Sequence, residues 1–198
     1  MDVELRSLEL GPFLHSVTTA FTSAERERIV VDSEIHAMVC DERKLYRILA
    51  NLVENAVKYA PTGLIDVAAA AADDGWMSFV VADRGPGIAA VDRERVFERF
   101  VQLDQSSKRT RGGTGLGLHL CRQLAHLLGG SLQASERDGG GTEFTLRLPM
   151  SSPTPEPDDG DPSCEGTVAG GVPSEAPDGW QPPPDHPAPA VTPLSVPA

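Results

Sequence analysis

Apolar residues recur at spacings of three and four across residues 8–28, where Leu10, Phe13, Leu14, Val17 and Phe21 form one stripe ahead of a charged cluster at Glu25–Arg28. That spacing predicts a first helix. Two short apolar runs follow, Ile29–Asp32 and Ala37–Cys40. Asp41 is a suitable N-cap for a strong helix from Glu42 to Tyr59, whose apolar stripe is Leu45, Ile48, Leu49, Leu52, Val53 and Ala56, with Pro61 and Gly63 to end it. Leu64–Ala72 and Trp76–Ala82 flank Asp73-Asp74-Gly75 in a hairpin pattern. A glycine-containing loop leads to a short helix around 92–99. A third helix is predicted over 114–128, with Leu116, Leu120, Leu124 and Leu127/Leu128 on one face and Gly129-Gly130 as its stop. Strands at Ser131–Glu136 and Thr142–Leu148 close the pattern. The class is α+β: a mixed, mainly antiparallel, hairpin-rich sheet with about three helices on one face.

Composition divides the chain near residue 150. Residues 151–198 hold 13 of the 17 prolines, eight acidic residues and no Lys or Arg, so they carry −8 of the net −12. Such a segment has too few apolar groups to offset its chain entropy. The expected organisation is a folded domain over 1–150 and a Pro-rich, acidic, disordered tail over 151–198. Cys40, Cys121 and Cys164 lack metal-ligand or paired spacing and read as reduced thiols. No basic, aromatic-interleaved surface points to nucleic acid. No apolar run of about 18 residues points to a membrane span, and no secretory leader is recognisable. A cytoplasmic location is expected.

Four segments carry chemistry. In Asn51-Leu52-Val53-Glu54-Asn55-Ala56-Val57-Lys58-Tyr59, the spacing puts Asn51, Asn55 and Lys58 on one helix face. A carboxamide oxygen is a neutral, hard ligand suited to Mg²⁺, and a nearby Lys can meet phosphate charge; a solvated polar face is the plain alternative. In Val80-Val81-Ala82-Asp83-Arg84-Gly85-Pro86-Gly87-Ile88, a strand delivers a carboxylate into a turn whose glycines allow close backbone approach. Arg95-Val96-Phe97-Glu98-Arg99-Phe100 offers two aromatics that read first as a packing anchor. Arg111-Gly112-Gly113-Thr114-Gly115-Leu116-Gly117-Leu118 places glycines before a helix N-terminus, a cradle for an anion, with Lys108 and Arg109 just upstream.

In this order the four segments resemble the N, G1, F and G2 boxes of the histidine-kinase ATP-binding domain, a branch of the GHKL superfamily that includes gyrase and chaperone ATPases. The resemblance covers residues 8–150. It implies a two-layer α/β sandwich with a mobile ATP lid over about Val101 to Gly113. It also implies ATP and Mg²⁺ as ligands. Asn55 would hold the metal. Asn51 and Lys58 would act near the phosphates as the catalytic pair, and Tyr59 would flank the nucleotide. Asp83 would bind adenine N6 in a pocket shaped by Gly85, Gly87 and Ile88. Arg109, Gly113, Thr114, Gly115, Leu116 and Gly117 would surround the phosphates.

ATP-hydrolysing relatives, and the anti-sigma type of serine/threonine kinase, place a general-base Glu four residues before the Mg²⁺-binding Asn. That position here is Asn51, an amide that takes no proton. Glu54 lies about 100° round the helix from Asn55. None of the five histidines is followed by Asp or Glu, as a phosphoaccepting histidine usually is; His15 reads as a partly buried helix residue. The implied function is an ATP-dependent protein-histidine kinase module of a two-component system. Its partner would be a histidine-bearing dimerisation domain or kinase chain, and indirectly a response regulator. The alternatives are a non-catalytic, nucleotide-dependent interaction module and a serine/threonine kinase.

Overall fold

The computed structural model describes residues 3–72, 75–102 and 115–150. Element order is β1 (Arg6–Glu9), α1 (Leu10–Thr18), α2 (Ser23–Arg26), β2 (Ile29–Ser33), β3 (Ala37–Cys40), α3 (Glu42–Tyr59), β4 (Ile65–Ala72), β5 (Trp76–Ala82), α4 (Gly117–Leu127), β6 (Ser131–Glu136) and β7 (Thr142–Pro149).

Five strands form one sheet in the order β2-β4-β5-β7-β6. Only β2–β4 is parallel; the other neighbours run antiparallel. Burial alternates along β4, β5 and β7, so Ile65, Val67, Ala69, Met77, Phe79, Val81, Phe144, Leu146 and Leu148 all point to one side. Helices cover that side, and the period of two is what a sheet with one packed face requires. α3 supplies Leu45, Ile48, Leu49, Leu52, Val53 and Ala56 to the core, the stripe its sequence predicts. The Asp41 side chain caps it, accepting from Lys44 N at 3.0 Å.

The amino-terminal region departs from the expectation of one helix over 8–28. Arg6–Glu9 is a strand, paired antiparallel with β3 in a separate two-stranded ribbon. The helix then stops at Thr18, where the Thr18 and Thr19 hydroxyls bond back to the carbonyls of His15 and Ser16. Thr22 starts the short α2 with a reciprocal capping box to Glu25. His15 is exposed on α1 rather than partly buried.

Two further expectations need correction. In place of a short helix over 92–99 there are two 3₁₀ turns, Ala90–Asp92 and Arg95–Phe97. α4 starts at Gly117, because Gly115 sits at φ +68 and Leu116 is its cap. Its buried face is Cys121, Leu124 and Ala125, joined by Leu128 beyond its end, while Leu116 and Leu127 are exposed. The lid expected over 101–113 lies outside the described residues beyond Gln102, as does the tail over 151–198.

Candidate functional site

α3 sets the first part of the site. Its buried stripe fixes the rotation of the helix, and the half-buried Asn51, Asn55 and Lys58 then fall on a single adjoining face. Asn55 Nδ2 donates to Asn51 Oδ1 at 3.4 Å. That bond leaves the Asn55 carboxamide oxygen for another partner. Glu54 is exposed, off this face.

The N-terminus of α4 meets α3 here. A Cβ added to Gly117 would lie 2.7 Å from Asn51 Nδ2 and 2.8 Å from its Oδ1. Gly117 is therefore a place where backbone N–H groups and the Asn51 carboxamide meet without a side chain between them. The carbonyl of Gly115, two residues before it, accepts from Phe100 N at 3.0 Å. Phe100 itself has φ +64 and is 72% exposed, whereas Phe97 is buried edge-on against Phe144 with ring centroids 6.3 Å apart. Of the two aromatics expected to anchor the packing, Phe97 does so and Phe100 does not. Leu116 is exposed beside them. Arg109, Gly113 and Thr114 lie outside the described residues.

Asp83 forms the second part. It follows β5 and is only 4% exposed. Its Oδ1 accepts from Gly85 N at 2.6 Å and from Thr142 N at 3.4 Å. Burial raises the carboxyl above its usual range, against the opposing pull of those two N–H groups and of the Arg137 guanidinium. Gly85 is required by packing: its Cβ would stand 2.8 Å from Asp83 Oδ1 and 3.1 Å from the Tyr59 carbonyl. The end of α3 and the loop after β5 are therefore in direct contact. Tyr59 is half-exposed, with the Lys58 ammonium 5.0 Å from its ring centroid. Gly87, at φ +76, faces the carbonyl of Gly141, and Ile88 packs partly buried against the core.

Three contributors were not singled out from sequence. Gly141 has φ +115, and its Cβ would overlap the Asp83 carbonyl at 2.0 Å. The Thr142 carbonyl accepts from Asp83 N at 2.8 Å, while its N–H donates to the Asp83 side chain. Arg137 donates to the Ala82 carbonyl at 3.3 Å. The glycine run 139–141 was legible as a turn, but the partner it touches is fixed by the pairing of β7 with β5. Among the described residues, no group of three or more His, Cys, Asp or Glu could hold a metal ion, and no helix is long and apolar enough to cross a membrane.

The family model for histidine kinase-, DNA gyrase B-, and HSP90-like ATPases matches residues 40–152. Hybrid signal transduction histidine kinase D of Dictyostelium discoideum is 34% identical over 160 residues, covering 76% of this chain and 10% of its own length. Sensor-like histidine kinase SenX3 of Mycolicibacterium smegmatis is 42% identical over 116 residues, covering 59% of this chain and 30% of its own. The chain thus spans less than a third of these curated relatives. Among solved structures, full-length ShkA in complex with AMPPNP superposes with a TM-score of 0.66 at 31% identity, over 77% of this chain and 32% of that one. The mycobacterial sensor histidine kinase MprB gives 0.62 at 26% identity, over 75% of this chain and 99% of that one.

Proposed function

Since the chain belongs to the histidine kinase-, DNA gyrase B-, and HSP90-like ATPase family, we propose that its body is the ATP-binding catalytic module of a two-component histidine kinase. The observation that carries this reading is the convergence of Asn51 and Asn55 of α3 with Gly117 of α4 at one place, and of Tyr59 of α3 with Asp83 and Gly85 after β5 at another. The second group takes the adenine. Asp83 Oδ2, opposite the oxygen engaged by Gly85 and Thr142, accepts the exocyclic amine, and Tyr59 flanks the ring. Gly87 and Ile88 bound the pocket.

The first group takes the phosphates. The Asn55 carboxamide oxygen, left over from its bond to Asn51, fits a hard cation that draws its other ligands from phosphate and water. Mg²⁺, when bound, supplies neutralisation of phosphate charge. Lys58 and the α4 N-terminus, with Gly115, Leu116 and Gly117, add positive potential, and Arg109, Gly113 and Thr114 are assigned there from sequence. Asn51 carries an amide and Glu54 is exposed on another face, so neither is placed as a base to activate water. The γ-phosphoryl is kept for an external nucleophile, a histidine on a partner chain or domain, from which a response regulator receives it.

The test is direct. The protein is titrated with Mg·ATP, then incubated with labelled ATP and histidine-bearing hairpin domains. Binding with acid-labile transfer is the expected outcome. Binding with no transfer to any hairpin would leave a nucleotide-dependent interaction module, and acid-stable label would mark a serine/threonine kinase. Asn55→Asp, which places a carboxylate beside phosphate charge, is expected to weaken Mg·ATP binding at least about tenfold. Unchanged affinity would remove Asn55 from the site.

A further inference from the structure

We propose that Arg137 is a positioning residue that fixes Asp83 as an acceptor for an exocyclic amine, and through it a determinant of which purine the site takes. The inference rests on the nucleotide reading above. Arg137 follows β6, at the edge of the sheet, yet its side chain reaches past β7 to the two strands beyond. One arm of its guanidinium donates to the carbonyl of Ala82, the residue before Asp83, at 3.3 Å. The other forms an ion pair with Asp66 Oδ2 on β4. Ala82 and Asp66 are register partners, so the arginine spans the pair from which Asp83 emerges. The Arg137 side chain is only 14% exposed. Its own turn is closed by Gly140 N donating to the Arg137 carbonyl at 2.9 Å, and the next glycine in that turn, Gly141, packs on the Asp83 carbonyl. One turn therefore touches Asp83 through the Gly141 backbone and holds the residue before it through the arginine.

The chemical consequence concerns protonation. A carboxylate accepts hydrogen bonds and suits a 6-amino purine. A protonated carboxyl also donates, and so tolerates a 6-oxo purine. Burial drives Asp83 toward the protonated form; the N–H groups of Gly85 and Thr142 oppose it first, and the Arg137 guanidinium adds to them as the one opposing charge. The other charged or titratable groups on the surrounding elements are already committed or turned away. Asp66 is paired with Arg137. Glu143 on β7 accepts from Ser135 at 3.4 Å. Lys58 lies over the Tyr59 ring. Arg84 is exposed with its stem against Gly63, and Asp138 is in the turn itself. A forked guanidinium can hold a carbonyl and a carboxylate together; an ammonium supplies charge without the fork.

The experiment measures Mg·ATP and Mg·ITP binding to the full chain by calorimetric titration between about pH 5 and pH 8. The wild type is expected to prefer ATP throughout the neutral range. Arg137→Ala is expected to bind ATP about tenfold more weakly, to lose it at a higher pH than the wild type, and to show a reduced ATP-over-ITP preference. Arg137→Lys should recover the pH profile while regaining only part of the affinity. Arg137→Gln, which keeps most of the side-chain length but removes the charge, should move the preference in the same direction as Arg137→Ala, and it carries the test where the alanine variant does not fold. Equal losses for both nucleotides at every pH would show a purely structural arginine and overturn the inference. A wild-type chain that binds no ATP would instead overturn the nucleotide reading itself.

Discussion

Asp83 is held in a position that costs the folded protein stability. Its carboxyl is raised above the ordinary value of 3.8 by burial, so the native state takes up a proton more readily than the unfolded chain. In the window between 3.8 and the higher native value, stability therefore falls as pH rises, and above that window the full cost remains. Asp83→Asn keeps an oxygen for the N–H groups of Gly85 and Thr142 and removes the charge. The expected outcome is a higher melting temperature at neutral pH, an advantage that disappears on acidification toward 3.8, together with loss of ATP binding. Calorimetric melts of both proteins across that range check it; a less stable variant at neutral pH would contradict the burial argument. At this scale Asp83 itself was legible, because a strand ending in Asp before two glycines is visible in one dimension. Arg137 and Thr142 were not, since nothing local to residues 137–142 announces that β7 returns beside β5.

At the scale of elements, α3 is where sequence reading succeeded best. The core stripe, the Asp41 cap and the three-residue polar face follow from one period of 3.6. Asp41 does more than cap, since its side chain also accepts from Glu4 N at 3.0 Å and pairs with Lys44. Burial by itself would raise its carboxyl, but the Lys44 ammonium and the N–H groups of Glu4 and Lys44 hold it below the usual range. Asp41→Ala is expected to cost about 1–2 kcal/mol at neutral pH, measured by denaturant unfolding. That difference should be full above the ordinary 3.8 and fade as acid titrates the folded carboxylate below it. The element read wrongly was the first helix. Arg6–Glu9 buries only Leu8, too little alternation to signal a strand, and the helical spacing from Leu10 onward runs into it. The break at Thr18–Thr22 comes from hydroxyl-to-carbonyl bonds that a hydrophobic pattern does not register.

For the whole molecule, the composition boundary near residue 150 coincides with the end of β7 at Pro149 and of the family match at residue 152. A chain cut after Met150 is expected to keep the melting temperature and Mg·ATP affinity of the full chain. Thermal melts and titration of the two side by side check this, and a marked loss in either would give the acidic segment a part in the folded body. The layered class was legible because alternating strands and amphipathic stripes demand one packed face. The β4–β5 hairpin was legible too, but the places of β2 beside β4 and of β7 beside β5 were not, since they depend on contacts distant in the chain. The parallel pair β2–β4 illustrates the cost of that distance. Its strands are separated by β3 and the whole of α3, whereas only residues 73–75 separate β4 from β5 and only residues 137–141 separate β6 from β7. Loop-closure entropy makes the hairpins early events and the β2 docking a late one, dependent on α3 already lying across the sheet. The helix that carries Asn51 and Asn55 is thus also part of the long crossover that must be placed before the edge of the sheet is completed, and hydrogen exchange should find β2 opening before β5.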